Sequence, residues 1–177
     1  MRLCLFVLGD RVLGSVAALW GFLGIFLIFG SAIYRLSQVA WQIFEQPLVW
    51  YHWIALFACL AFMGFAEGYR GFQKAFSPRV AARIYYLSQH ATPKRLLLAP
   101  LFCMGYFHVR RKRLIVTVCL TLGIIGLVQV VHLLDQPWRG IVDAGVVLGL
   151  SWGLVSLTLF TAKAFFGQGF NHSPETP

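Results

Sequence analysis

The feature that most restricts this chain is a basic island set between long apolar runs. Residues 67–113 hold ten of the 15 Lys and Arg residues: Arg70, Lys74, Arg79, Arg83, Lys94, Arg95 and the run Arg110, Arg111, Lys112, Arg113. Against them stands a single acid, Glu67, so the island carries +9, the formal net charge of the whole chain. Lys and Arg near the ends of spanning helices are retained on the cytoplasmic side, so a basic segment between apolar runs reads as a cytoplasmic loop. Composition agrees, with 59% hydrophobic and 12% charged residues, about half the charge of a soluble domain.

Four apolar runs come close to the spanning length of about 20 residues. They cover 12–34, 48–66, 114–134 and 141–165. The expected fold is therefore an all-α integral membrane protein with four transmembrane helices in one membrane domain, 1–166. If 67–113 is cytoplasmic, both termini are too, with Arg2 and Arg11 inside. Asp10 and Arg11 interrupt the N-terminal apolar stretch before a cleavage site, so the first run reads as an uncleaved helix. No breaker occurs from Arg35 to Phe44, and that helix is expected to continue until 45–47 stops it. Pro47 suits the first position of the next helix. Tyr34, Trp41, Trp50, Tyr51, Trp53 and Trp138 form an aromatic belt at one membrane face. The tail, 167–177, is polar and rich in Pro, Gly and Ser, a composition that favours disorder.

The island has internal structure of its own. Ser77-Pro78 and Thr92-Pro93 each place a capping hydroxyl before a proline, the pattern of a helix start. The first start predicts a short basic amphipathic helix to about residue 90, suited to an interface. The second leads into 96–108, thirteen nearly apolar residues, too few to span, so an interfacial or re-entrant piece kinked at Pro100. The expectation is a basic cytoplasmic helical hairpin between the second and third spans. Within it Arg70, Lys74, Arg79, Arg83, Lys94 and Arg95 are candidates to bind an anion or lipid headgroup. Glu67 and Arg70 have the spacing of an i,i+3 ion pair.

Within the spans three patterns stand out. Gly145, Gly149 and Gly153 share one helix face and let another backbone approach closely, within the chain or in a second copy. Thr117, Thr121, Gln129 and His132 share one side of the third run, and polar groups in hydrocarbon are expected to face the bundle interior. His52 and His132 lie near the same ends of neighbouring antiparallel runs, where two imidazoles can ligate haem iron. Cys4, Cys59, Cys103 and Cys119 form no CxxC and read as free thiols. No HExxH, GxSxG or DxD-type acidic cluster occurs.

These patterns favour a small non-enzymatic component of a bacterial inner membrane that docks, scaffolds or assembles a larger complex. No catalytic residues, metal or cofactor are expected. Its partners would be the bilayer, anionic headgroups and a membrane protein or a second copy, with no nucleic acid. The alternatives are a haem b- or quinone-binding redox protein using His52 and His132 with Gln129, and a small transporter or lipid-handling protein.

Overall fold

The computed structural model describes the backbone of residues 2–45, 47–167 and 172–174, and side chains within those ranges from residue 12 onward. Among the described residues every regular element is helical. The elements are α1 (Arg2–Trp41), closed by a 3₁₀ turn (Gln42–Glu45), α2 (Trp50–Gln89), α3 (Pro93–Leu97), α4 (Ala99–Met104), α5 (Arg111–His132) and α6 (Trp138–Phe166). Four helices are long and apolar enough to cross a membrane: the stretch Val12–Glu45, then α2, α5 and α6. Most of the tail, 168–171 and 175–177, lies outside the described residues.

The second helix differs most from expectation. It does not start at Pro47 but at Trp50, where the His52 imidazole Nδ1 accepts the Val49 N–H at 3.2 Å and caps the first turn. Nor does it end at Glu67. It runs on without a break to Gln89, forty residues in all. At 1.5 Å per residue that is about 60 Å, twice the hydrocarbon core of about 30 Å. Regular α-helix does begin at Ser77, with Pro78 in its first turn, and runs to Gln89 as expected, but it continues directly from the segment before it, so the Ser77 side chain caps nothing. The backbone at 64–76 is π-helical, and the Ser77 N–H reaches back five residues to the Phe72 carbonyl. A proline inside an α-helix lacks the N–H and collides with the carbonyl four residues earlier. The wider π turns ahead of Pro78 shift that register, and the Arg79 Nε donates to the Ala75 carbonyl. Ser77 itself is fully buried, and its hydroxyl has no hydrogen-bond partner among the described residues. Ser77→Ala removes an unsatisfied buried group. It is expected to leave thermal stability in detergent unchanged or to raise it by about 1 kcal/mol; a clear loss would show that the hydroxyl has a partner.

Thr92-Pro93 does start a helix. The Thr92 side chain accepts the Arg95 N–H at 3.4 Å with Pro93 in the first turn. Helical geometry breaks at Leu98, ahead of Pro100, and resumes in α4. Gly105 ends α4 in the left-handed region, φ 91°, where a glycine carries no steric penalty.

The core is a three-helix arrangement of α1, α2 and α6, with α4 laid against α1. Ala17, Ala18, Ile25, Val80, Ile84, Leu87, Phe102 and Leu157 form its main cluster. A smaller cluster joins Ile43, Leu56 and Ile141 near the opposite end. Small residues set the closest approaches. A Cβ on Gly14 would strike the Ser88 carbonyl oxygen, and one on Gly24 would strike Pro100. α1 and α2 are antiparallel, with Gly14 beside Ser88 and Phe29 beside Phe72 and Phe76. The apolar run of α1 therefore lies beside the π-helical and basic parts of α2 rather than beside the apolar run 48–66. α5 stands apart, with only 6% of its most apolar window buried.

Candidate functional site

Arg83 is the centre of the basic region and does not serve as an open anion site. Its side chain is 4% exposed. One guanidinium nitrogen donates to the carbonyls of Phe102 at 2.7 Å and Phe107 at 3.2 Å, and the other donates to His108 at 3.2 Å. The same group lies 5.0 Å from the Phe102 ring centroid, in cation–π range. Three carbonyls, one in α4 and two in the loop after it, converge on a fork with five donors, which a lysine point charge does not match. The ion fixes the α3–α4 hairpin to α2. Cys103 lies buried beside it. Burial pushes that thiol up to about 12, with Arg83 pulling weakly the other way.

The remaining basic residues divide into occupied and exposed groups. Arg95 donates to the His90 carbonyl at 3.0 Å and lies 5.7 Å from the rings of both Tyr86 and Phe102. The Lys74 ammonium sits 4.5 Å from the Tyr69 ring centroid. Arg70, Lys94, Arg110, Arg111 and Lys112 are exposed. Of the six anion candidates, Arg79, Arg83 and Arg95 donate to backbone carbonyls. Among the described residues no ion pair is found between Glu67 and Arg70. Glu67 turns instead toward α6, where a Cβ on Gly149 would lie 2.9 Å from its carboxylate.

The glycine series of α6 packs within the chain. Cβ atoms at Gly145 and Gly153 would lie 2.8 Å from the Cys59 sulfur and 2.5 Å from the Phe72 ring. All three glycines are buried against α2. The polar side of α5 behaves otherwise. Its first part is tied down, with the Tyr106 and Thr121 hydroxyls 2.5 Å apart and Thr121 also donating to the Thr117 carbonyl at 2.9 Å. Gln129 and His132 are exposed, so this part of the stripe does not face the chain's own bundle. The reason is that α5 diverges from α6 and makes few contacts with any other helix.

The two histidines proposed for haem have different neighbours. His52 is 7% exposed, with its ring against Tyr51 at 4.2 Å and Trp138 at 5.3 Å. His132 is exposed, and its Nδ1 lies 2.8 Å from the Val128 carbonyl. Among the described residues no three His, Cys, Asp or Glu side chains come together as a metal site, and Cys59, Cys103 and Cys119 are free thiols.

Two further connections are unexpected; the first has no signal in residue spacing, whereas the second has the i,i+4 spacing of a helix ion pair. The Gln136 amide donates to the Val39 carbonyl at 3.4 Å and the Gln42 side chain at 3.3 Å, and accepts the Gly140 N–H at 3.2 Å. It ties the turn before α6 to the end of α1. Asp143, 4% exposed, lies 3.8 Å from Arg139 one turn earlier on α6. The arrangement has the fold of a multi-pass helical membrane protein. The chain matches no protein-family model, no curated protein and no solved structure.

Proposed function

We propose that this protein is a non-catalytic component that assembles into a larger membrane complex through α5 and the basic run that leads into it. The positive-inside rule puts the basic segment from about residue 90 to 113 and both termini on the cytoplasmic face, in bacteria that of the inner membrane, while 67–89 belongs to the long second helix that packs beside the first span. The α3–α4 hairpin is then an interfacial element against anionic headgroups. Leu97 and Leu101 are exposed on it beside Lys94, a composition that suits such a place.

The observation that carries the reading is the isolation of α5. A helix of spanning length that bears Gln129 and His132 on its exposed surface, with 6% of its most apolar window buried, leaves polar side chains facing away from the rest of the chain. Such groups are costly in hydrocarbon and are met by a neighbouring helix. Arg110, Arg111 and Lys112 are exposed at the start of this helix. A partner helix with acidic residues at its cytoplasmic end complements them.

A photo-crosslinking side chain at Val128, exposed on α5, tests this in intact membranes, with Leu157, fully buried, as the control. The expected result is one discrete protein adduct from position 128 and none from 157. Charge reversal at Arg110, Arg111 and Lys112 should lower its yield about tenfold, equivalent to about 1.4 kcal/mol. Adducts to lipid alone would reject the proposal.

A further inference from the structure

A second surface lies outside the basic island. Between α6 and the π-helical part of α2 runs a groove of about 420 Å³, lined by Gln73, Leu148, Ser151, Trp152, Val155, Ser156, Leu159 and Phe160. Its wall is held by one specific bond, from the Trp152 indole N–H to the Gln73 side-chain oxygen at 2.9 Å. Gly68 makes room for this arrangement, since a Cβ there would lie 3.0 Å from the Trp152 ring. Leu148, Trp152, Val155 and Leu159 follow at intervals of four, three and four residues, one stripe along a helix, and all four are exposed. From 148 to 160 the groove extends about 18 Å at 1.5 Å per residue. That is close to one leaflet, half of a core of about 30 Å.

The groove is chemically different at its two ends. One further step of four residues along the stripe reaches Lys163, which is exposed and near the end of α6. The His172 ring packs on Phe160 at 6.2 Å at the same end. This is the end of the bundle where Tyr85 meets Phe165, so it is also the end that carries the Arg83-anchored hairpin. A largely apolar channel one leaflet long, with a cation about one helical turn beyond its charged end, has the polarity of a single lipid and not of a spanning helix.

We propose that this groove is a stoichiometric site for an anionic phospholipid. One acyl chain lies along Leu148, Val155 and Leu159 over the Trp152 ring, and the phosphate is held at Lys163. The charge at Lys163 selects for a negative headgroup, and the stripe supplies the acyl contact. This site is separate from the α5 surface and does not depend on it.

The test is native mass spectrometry of the full chain in mild detergent, doped with phosphatidylglycerol or phosphatidylcholine bearing the same acyl chains. The expected result is one retained phosphatidylglycerol per chain and loss of phosphatidylcholine under the same activation. Val155→Trp fills the groove and should cut the lipid-bound fraction about tenfold. Lys163→Glu should do the same for phosphatidylglycerol. Leu159→Trp serves as a second filling variant, with helix content by circular dichroism as the check on folding. Charge reversal at Arg110, Arg111 and Lys112 should leave the lipid adduct intact while lowering the α5 crosslink, so the two proposals fail separately. Equal retention of both lipids, or an adduct unaffected by Val155→Trp, would overturn the site. A dimer mass that disappears in Val155→Trp would also overturn it, because the occupant would then be a helix of a second copy.

Discussion

Arg83→Met is expected to release the α3–α4 hairpin from α2, at a cost of about 3 kcal/mol. Hydrogen bonds to a charged group contribute about 1.5–3 kcal/mol each and do not add when they share one donor group. The side chain is buried, and it serves the carbonyls of Phe102, Phe107 and His108. Only the Phe102 carbonyl keeps another described donor, the Gly105 N–H at 3.1 Å. Arg83→Lys should be no better than the methionine variant. It keeps a buried charge to desolvate and has no fork to span three acceptors. Cys103 gives a direct readout in a chain where it is the sole cysteine. Burial holds its thiol up at about 12 and Arg83 lowers it. At pH 7.5 it is therefore almost wholly protonated and unreactive toward maleimide. Removing Arg83 without releasing the hairpin takes away the lowering influence and slows labelling further. Faster labelling in Arg83→Met thus reports exposure and not electrostatics. Labelling as slow as in the parent chain would reject the role assigned to Arg83.

The four helices long and apolar enough to span were legible because hydrophobic length is a coarse and redundant signal. Losing any one residue from 114–134 or 141–165 would not hide it. The Thr92-Pro93 start was legible for a different reason: cap and proline act locally, over one turn. The identical-looking Ser77-Pro78 pair also marks where regular α-helix begins, but as a continuation of the helix before it and without a side-chain cap. Whether proline starts a helix or sits inside one depends on the preceding backbone. Here 64–76 is π-helical and carries the chain through. Nothing in the residue types of that segment announces five-residue hydrogen bonding. Arg83 was visible as a basic residue but not as a buried one. Its acceptors are backbone carbonyls 19 to 25 residues away, and a carbonyl has no identity in a sequence. Gln129 and His132 were expected inside because a polar stripe is costly in lipid. That physical statement concerns the membrane assembly as a whole, and a single chain need not satisfy it alone.

Glycine substitutions should separate the packed helices from the isolated one more sharply than any other set. Gly153→Ala is expected to cost about 1–3 kcal/mol by overpacking. The new methyl would lie 2.5 Å from the Phe72 ring, and that ring is held by edge contacts with Phe29 at 5.6 Å and Phe76 at 5.5 Å. Gly153→Leu should exceed this and part α6 from α2. Gly14→Ala belongs with it, because the obstacle is the backbone carbonyl of Ser88 and cannot rotate away. Gly149→Ala should cost less, since its obstacle includes the Glu67 carboxylate at the end of a flexible side chain. On α5 the sign reverses. Cβ atoms on Gly123 and Gly126 would meet nothing within 4 Å, so alanine there loses no packing and gains up to about 1 kcal/mol of helix propensity. Thermal unfolding of the purified chain in detergent, followed by circular dichroism, gives the order. Stability unchanged in Gly153→Ala would reject the α2–α6 contact. A loss in Gly126→Ala as large as in Gly153→Ala would show that the α5 glycine face is already covered in the purified protein. Run in native membranes with crosslinking at Val128 as the readout, the same Gly126→Ala change asks whether the partner helix approaches on that face. A lost adduct with unchanged stability of the isolated chain would place the contact there.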